Sequence, residues 1–429
     1  MTLKSRGKPF LLCLVCLLLS ILLGVAAMTC VYLLPTGRML TKADESIPIL
    51  ENEGGSFYWA PPDDASTRLD GYTDTIMLQT AVYIPSGSAL QEAMRNNRVE
   101  FFPEKWNPQE SLIRYVYGVH EGPVVSYARY WNGYLLLLKP LMLFFNLSQI
   151  RTMDMAVQFL LLFALLILSF RRGGLRLAVP LALAFLSLNP VSTALSLQYS
   201  SIYLLTLVFL IAMLALKSWE KQWGYGLFLF LGIGTAFFDF LTYPAAAVGL
   251  CLGVQVVMGK QDAKTTLARA VGSGAAWAFG YGGMWAGKWL AASLITGENV
   301  LSEAVSQAQY RSGGQIAGNE GSGSAGFFAV AWKNLSVYGS AAGILVLLLI
   351  IAVLLCLLIG RHGRLRPQAG QTVGLCLVFL VPFVWYFLVR NHSMVHYWMT
   401  HRNLSAAVFA LAAFVSFSLQ FPKEPCQHG

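Results

Sequence analysis

Two carboxylates close together form the sharpest acidic feature of this chain. They are Asp70 and Asp74, in the segment RLDGYTD at 68–74. Residues four apart share one face of a helix, so both side chains would point the same way. A carboxyl group whose pKa has been raised by burial can act as a general base, and we predict Asp70 and Asp74 as catalytic residues. The alternative interpretation is a turn in which an Asp caps the following helix.

An arginine among four aromatic rings occupies the segment YARYWNGY at 127–134. A guanidinium can bind phosphate oxygens through two parallel hydrogen bonds, so we predict that Arg129 binds the phosphate of a donor substrate. The neighbouring rings of Tyr130 and Trp131 are predicted to contact that substrate. A belt of aromatic residues at a membrane–water interface would explain the rings equally well.

A third segment, NHSMVHYWMTHR at 391–402, combines imidazole, aromatic and guanidinium groups. We predict that His396 and Arg402 bind the donor phosphate, and that His392, Tyr397 and Trp398 contact or stack on a sugar. His392 and His396 have the spacing of a helical metal site, but no carboxylate lies nearby, so no metal-binding residue is predicted. The sequence predicts no organic cofactor and leaves a divalent metal ion open.

The elements that position these segments follow from the distribution of charge. The chain is 56% hydrophobic and only 12% charged, and its charged residues lie mainly between apolar segments of about 20 residues, the length of a membrane-spanning helix. We predict an all-α polytopic membrane helical bundle of about ten transmembrane helices. The predicted spans are 10–34, 153–170, 174–190, 201–217, 225–241, 244–259, 270–293, 338–360, 372–389 and 403–420.

The orientation of the bundle is predicted from its Lys and Arg residues. These recur in short loops that can all lie in the cytoplasm, so the net charge of +9 indicates topology and not a nucleic-acid partner. Both termini are then cytoplasmic, in a plasma (inner) membrane. Residues 1–34 form an uncleaved signal anchor, 35–152 a large outer loop with interfacial helices, and 153–429 a multi-span domain with outer loops at 294–337 and 390–402.

Several residues do not fit this simple scheme. The apolar segment 134–150 contains Lys139 and Pro140, and we predict an interfacial or re-entrant helix there. Asp154, Asp239 and Lys288 lie within predicted spans, where ionisable groups are functional candidates. The alternative for Asp239 is a structural ion pair with Lys288. None of the seven cysteines falls in a long polar loop, so no disulfide framework is predicted.

This layout resembles the GT-C superfamily of integral membrane glycosyltransferases. The shared features are one N-terminal span, a large outer loop with acidic residues, many further spans, and a basic, aromatic outer loop near the end. The resemblance implies transfer of a sugar from a polyprenyl-phosphate donor on the outer face, with an acidic residue of the first outer loop as base. That residue usually lies close to the first span, where this chain has Asp44 and Glu45; Asp70 and Asp74 lie further on.

We therefore predict an integral membrane glycosyltransferase that modifies a cell-surface glycan or glycolipid. Its predicted partners are membrane lipid, a polyprenyl-phosphate-sugar donor, and a glycan or lipid acceptor, with no nucleic acid. Two other functions are open at this point. One is a transporter or flippase of a lipid-linked or small polar substrate, and the other is a non-catalytic subunit of a polymer assembly or export system.

Overall fold

A computed structural model describes residues 3–60, 64–102, 107–221, 223–313, 325–339 and 364–420. It is mostly helical (78%), as the sequence predicts. The α-helices, in chain order, are α1 Leu3–Tyr32, α2 Thr36–Asp44, α3 Ile47–Glu53, α4 Gly71–Val82, α5 Ala89–Arg95, α6 Pro108–Val116, α7 Leu135–Leu141, α8 Leu147–Gly173, α9 Leu175–Ser187, α10 Pro190–Leu195, α11 Leu197–Leu216, α12 Gly224–Phe238, α13 Pro244–Gly259, α14 Ala263–Thr296, α15 Val300–Ser312, α16 Phe327–Leu335, α17 Ala369–Leu388, α18 Arg390–Val395, α19 Tyr397–Thr400 and α20 Ser405–Ser418.

Short strands and 3₁₀ turns complete the described structure. Strand β1 (Arg98–Val99) pairs antiparallel with β2 (Val124–Val125), and β3 (Arg364–Leu365) pairs antiparallel with β4 (Leu419–Gln420). The 3₁₀ turns are Ala65–Thr67, Ser218–Glu220, Ser336–Gly339 and His401–Leu404.

Four of these helices are long and apolar enough to cross a membrane. They are α1 from Phe10 onward, α8, α11 and α17. Three shorter apolar helices, α9, α12 and α13, coincide with further predicted spans. Most of the predicted span 338–360 lies outside the described residues.

The segment 134–150 is divided and does not form one helix. Helix α7 ends at Leu141, and α8 begins after Asn146, whose side chain forms a reciprocal capping box with Gln149. The capping box explains why α8 starts before the predicted span at 153, because it satisfies backbone groups that a helix end leaves unpaired. The seven residues of α7 rise only about 10 Å, which is too short to cross a bilayer.

Glycines allow α12 and α14 to pack with their backbones in close contact. A Cβ atom added to Gly232 would lie 2.1 Å from the carbonyl oxygen of Trp277, and one added to Gly280 would lie 2.3 Å from that of Leu229. Each helix therefore needs a glycine where the other helix approaches. Small residues serve this purpose in membrane helix pairs.

The longer connections between the helices gather at one end of the bundle. There the indole of Trp59 donates to the Ser192 hydroxyl at 2.8 Å, and the side chain of Asn334 donates to the Ser393 carbonyl at 3.0 Å. We call this end the loop face. At the other end, Arg172 donates to the Leu214 carbonyl at 3.0 Å. The residues that could carry chemistry therefore lie on segments that converge.

Two buried lysines hold the helices of the first long loop in place, one from within the loop and one from a later helix. Lys139 donates to the carbonyl of Ala81 at 2.7 Å, near the end of α4. Lys288 donates to the carbonyls of Ala93 and Met94 in α5, at 3.3 and 2.8 Å. Asp239 instead accepts hydrogen bonds from Thr242, so the pairing of Lys288 with Asp239 is wrong for the described structure.

Candidate functional site

Asp74 lies at the centre of a buried network on the loop face. Its carboxylate accepts hydrogen bonds from Arg151 at 2.9 Å and from the backbone N–H groups of Leu197 and Gln198 at 3.2 and 3.3 Å. Arg151 also bonds to Glu53 at 2.6 Å. Burial raises the pKa of Asp74 to about 6, although the Arg151 charge opposes the rise. Both oxygens of this carboxylate are therefore engaged in joining α4, α8 and α11.

Asp70 has a freer carboxylate at the start of α4. One oxygen caps the helix by accepting from the Thr73 N–H at 3.1 Å, as the alternative interpretation of the sequence predicted. Its backbone N–H donates to the hydroxyl of Ser196 at 3.3 Å. Burial raises the pKa of Asp70, and the hydrogen bond from Thr73 and the Arg68 charge oppose the rise. The indole of Trp398 interacts with the same carboxylate.

Arg68 and His396 both contact the ring of Trp398 beside Asp70, Arg68 over its face and His396 in an edge-to-face arrangement. The guanidinium of Arg68 lies 3.9 Å from the centre of the Trp398 ring, and the His396 ring lies 5.1 Å from the same indole. Arg68 also donates to the Ser56 hydroxyl at 2.6 Å, while its Nε has no hydrogen-bond partner among the described residues. The sequence motif around Asp70 and the late histidine-rich segment, more than 300 residues apart in the chain, thus meet.

His396 and His392 lie in a positive environment. Their rings are 4.7 Å apart, and His392 Nε2 is 2.7 Å from the carbonyl oxygen of Leu241. Burial, together with the charges of Arg311 and Arg68, lowers the pKa of His396 to about 4. Burial, His396 and Arg311 also lower the pKa of His392. Both rings are therefore neutral at pH 7.

Arg311 adds a second guanidinium without an ion-pair partner in the described ranges to the surroundings of His396 and His392. It projects from the end of α15 and lies 5.6 Å from the centre of the Tyr130 ring. The two acidic residues at the start of α15 have other partners, since Glu298 pairs with Arg95 and Glu303 pairs with Arg129, each at 2.6 Å. Across the described ranges, neither Arg311 nor Arg68 forms an ion pair. We call Arg68, Arg311 and His396 the cationic cluster.

The three predicted residues of the segment 127–134 do not lie together in one site. Tyr130 joins the cationic cluster through Arg311 and packs 5.2 Å from Trp285. Arg129 lies over Tyr127 and Tyr130 but is paired with Glu303. Trp131 is fully buried on the other side, where its indole donates to the Met284 carbonyl at 2.8 Å.

Arg402 and Tyr397 are engaged elsewhere. All three nitrogens of the buried Arg402 guanidinium donate to backbone carbonyls, those of Leu188, Trp398 and Ser66. Lys333 lies 4.3 Å from the centre of the Tyr397 ring. Arg402 thus fixes the segment that carries Trp398 against the turn that precedes Arg68. Asp44 is exposed, and Glu45 pairs with Lys42 at 2.6 Å.

An apolar groove of about 440 Å³ lies beside α4, between α7, α8 and α11. Tyr134 lines this groove and lies 5.1 Å from Phe240, which lies 5.5 Å from Tyr130. A continuous aromatic wall therefore leads from the groove to Arg311. Among the described residues that line the groove, Asp154 is the only carboxylate, and none is Lys, Arg or His.

Sequence reasoning did not select the two central arginines of this site, Arg68 and Arg311, as candidate site residues. Arg68 directly precedes the predicted acidic pair, so its position was a usable signal. Arg311 carried a weaker signal, as one polar residue on a helix with Glu298 and Glu303. That these acids pair with other arginines follows only from the tertiary structure.

Comparisons with family models, curated proteins and solved structures find no match to this chain. Over the ranges described above, no group of three or more His, Cys, Asp or Glu side chains is arranged to hold a metal ion.

Proposed function

We propose that this chain is an integral membrane glycosyltransferase that takes its sugar from a polyprenyl-phosphate donor. The proposal includes about ten spans, cytoplasmic termini in the plasma (inner) membrane, and an extracytoplasmic loop face. It is supported by the apolar helices and by the gathering of loops at one end. Arginines of the short connections, such as Arg172 and Arg269, lie at the other end, as the positive-inside rule requires.

The cationic cluster is the observation that carries the proposal. Arg68 and Arg311 keep their charges without a carboxylate partner in the described ranges, and they act together on His396. Placing two unneutralised cations near a buried ring is unfavourable unless an anion joins them. A phosphate fits because guanidinium groups bind its oxygens through charge-assisted hydrogen bonds.

Asp70 is the proposed base. It lies next to the cationic cluster through Trp398, and its carboxylate is less occupied than that of Asp74. In the proposed reaction, Asp70 accepts the proton of an acceptor hydroxyl while that oxygen bonds to the anomeric carbon of the sugar. The bond between this carbon and the donor phosphate breaks, and the phosphate leaves with its electron pair, stabilised by Arg68 and Arg311. Asp74 acts as a positioning residue.

Binding of a polyprenyl phosphate tests the cationic cluster. In lipid nanodiscs, we expect the phosphate to bind and the corresponding uncharged polyprenol to bind at least tenfold more weakly. Arg311→Ala should abolish this difference. Arg114→Ala is the matched control, because Arg114 is half exposed and pairs with Glu110. Equal binding of the two lipids to the unchanged protein would contradict the anion site.

Sugar transfer tests the reaction. Polyprenyl phosphates carrying different single sugars are supplied with membrane extracts as acceptor, and release of polyprenyl phosphate is measured. Asp70→Asn should reduce release by at least a hundredfold, with donor binding retained. Full activity of a folded Asp70→Asn variant would exclude this base. Movement of the donor across the bilayer without sugar release would favour a flippase, and donor binding with neither outcome would favour a non-catalytic subunit.

A further inference from the structure

The apolar groove has the position of a lipid site. Its walls belong to α8 and α11, two of the helices long and apolar enough to span a membrane. Met153 and Val157 on α8 and Val208 on α11 line it and are 41%, 46% and 49% exposed, so the groove opens sideways. Its volume of about 440 Å³ falls within the roughly 300–1,000 Å³ of small-molecule binding pockets. This is enough for one hydrocarbon chain.

The groove is polar at one end only. Asp154, Ser200 and Ser201 lie near the starts of α8 and α11, on the side of the loop face. Leu204 and Val208 follow along α11, and the helix rises about 12 Å between Ser200 and Val208. A ligand that matches this gradient has a polar end beside Asp154 and a hydrocarbon chain that runs toward the middle of the membrane.

The carboxyl group of Asp154 determines which polar group of a ligand fits at this end of the groove. Its Oδ2 accepts a hydrogen bond from Gln158 at 2.9 Å, and the Ser200 hydroxyl also interacts with the carboxyl group. No cation pairs with Asp154 within the residues that the structure describes. A carboxylate has about four acceptor positions, so some are left for a ligand that donates. A phosphate beside it would be repelled, because like charges interact strongly where water is excluded.

We propose that this groove binds a neutral lipid alcohol, with the hydroxyl donating to Asp154 and one chain along Leu204 and Val208. This ligand differs in charge from the phosphate of the proposed donor. The binding does not depend on the transferase proposal. If that proposal holds, a lipid alcohol is a suitable acceptor, and the aromatic wall from Tyr134 to Tyr130 connects the two sites.

Photolabelling in nanodiscs tests the proposal without any sugar donor. Two probes with the same diazirine-bearing chain are compared at pH 8.5: a diacylglycerol, with a free hydroxyl, and a phosphatidic acid. We expect the diacylglycerol to label α8 and α11 about tenfold more than the phosphatidic acid, a difference of about 1.4 kcal/mol. Asp154→Asn should bring the ratio close to one. Asp262→Asn is the control, because Asn keeps the cap of α14 at the opposite end.

A filled groove provides a second, independent variant. Ser201→Phe places a ring in the groove and should remove labelling of α8 and α11, while labelling of the membrane-facing α17 stays unchanged. Equal labelling by the two probes in the unchanged protein would overturn the proposal. So would a preference for the alcohol that persists in Asp154→Asn, or labelling of α11 that persists in Ser201→Phe.

Discussion

Replacing Arg151 by Met should destabilise the protein far more than replacing Asp74 by Asn, although the two side chains bond to each other. Arg151 is 2% exposed and bonds to both Glu53 and Asp74. Its loss leaves two buried carboxylates without their cation. Removing one partner of a buried ion pair costs about 3–5 kcal/mol, so we expect a loss of this size.

The Asp74→Asn variant keeps most of the network. Arg151 retains Glu53, and the Asn oxygen in the place of Oδ2 can still accept from Arg151 and from the Leu197 N–H. The amide nitrogen takes the place of Oδ1, so the weaker hydrogen bond from the Gln198 N–H is lost. The charge itself contributes little, because the pKa of Asp74 is about 6 against an ordinary value of 3.8. About two pKa units correspond to roughly 3 kcal/mol by which the folded protein disfavours the ionised form. At pH 8 we expect this variant to lose about 1 kcal/mol, the value of one hydrogen bond and well below the loss for Arg151→Met.

Thermal unfolding in nanodiscs, followed by tryptophan fluorescence, measures both variants. At about 2 °C per kcal/mol, Arg151→Met should lower Tm by roughly 6–10 °C. The pH dependence adds a check: folded Asp74 binds a proton more tightly than unfolded Asp74, so its contribution to stability falls as pH rises from about 4 to about 6. The Asp74→Asn variant has no carboxyl group at this position, so its stability should not show this fall between about pH 4 and about pH 6. An equal Tm decrease for both variants at pH 8 would refute the reasoning.

Three further results are expected. Gly232→Ala should lower the free energy of unfolding by about 1–3 kcal/mol because of overpacking against α14. Gly226→Ala on the same helix is the control, because open space surrounds its Cβ position. Similar Tm values for the two variants would argue against the close contact. Lys288→Met leaves two carbonyls without their donor, at a cost of about 1–3 kcal/mol, and should speed proteolysis of 35–146 relative to Lys42→Met. Polyprenyl phosphate should raise the pKa of His396 from about 4, measured by NMR of labelled histidine, and a pKa that stays unchanged on binding would count against the cationic cluster.

The helices could be predicted from the sequence because apolar runs and charged gaps are local signals. The start of α8 was misplaced because its signal is one capping box, Asn146 with Gln149, inside an apolar segment. The sequence predicts that the Asp70 segment and the His396 segment serve the same site, but it does not predict the contacts between them. The partners of Asp74 could not be predicted, because Arg151 and Leu197 are 77 and 123 residues away in sequence. Composition carries no information on such pairings.

The contact between Lys288 and α5 has a consequence for how the chain is made. Lys288 follows Met94 by 194 residues, which a ribosome adds in roughly 10–40 s at about 5–20 residues per second. During this interval, the carbonyl groups at the end of α5 lack the hydrogen bonds from Lys288, so the first long loop is without this contact. Its final form becomes available only once α14 is in place. The loop that carries Asp70 is therefore translated early but completed late.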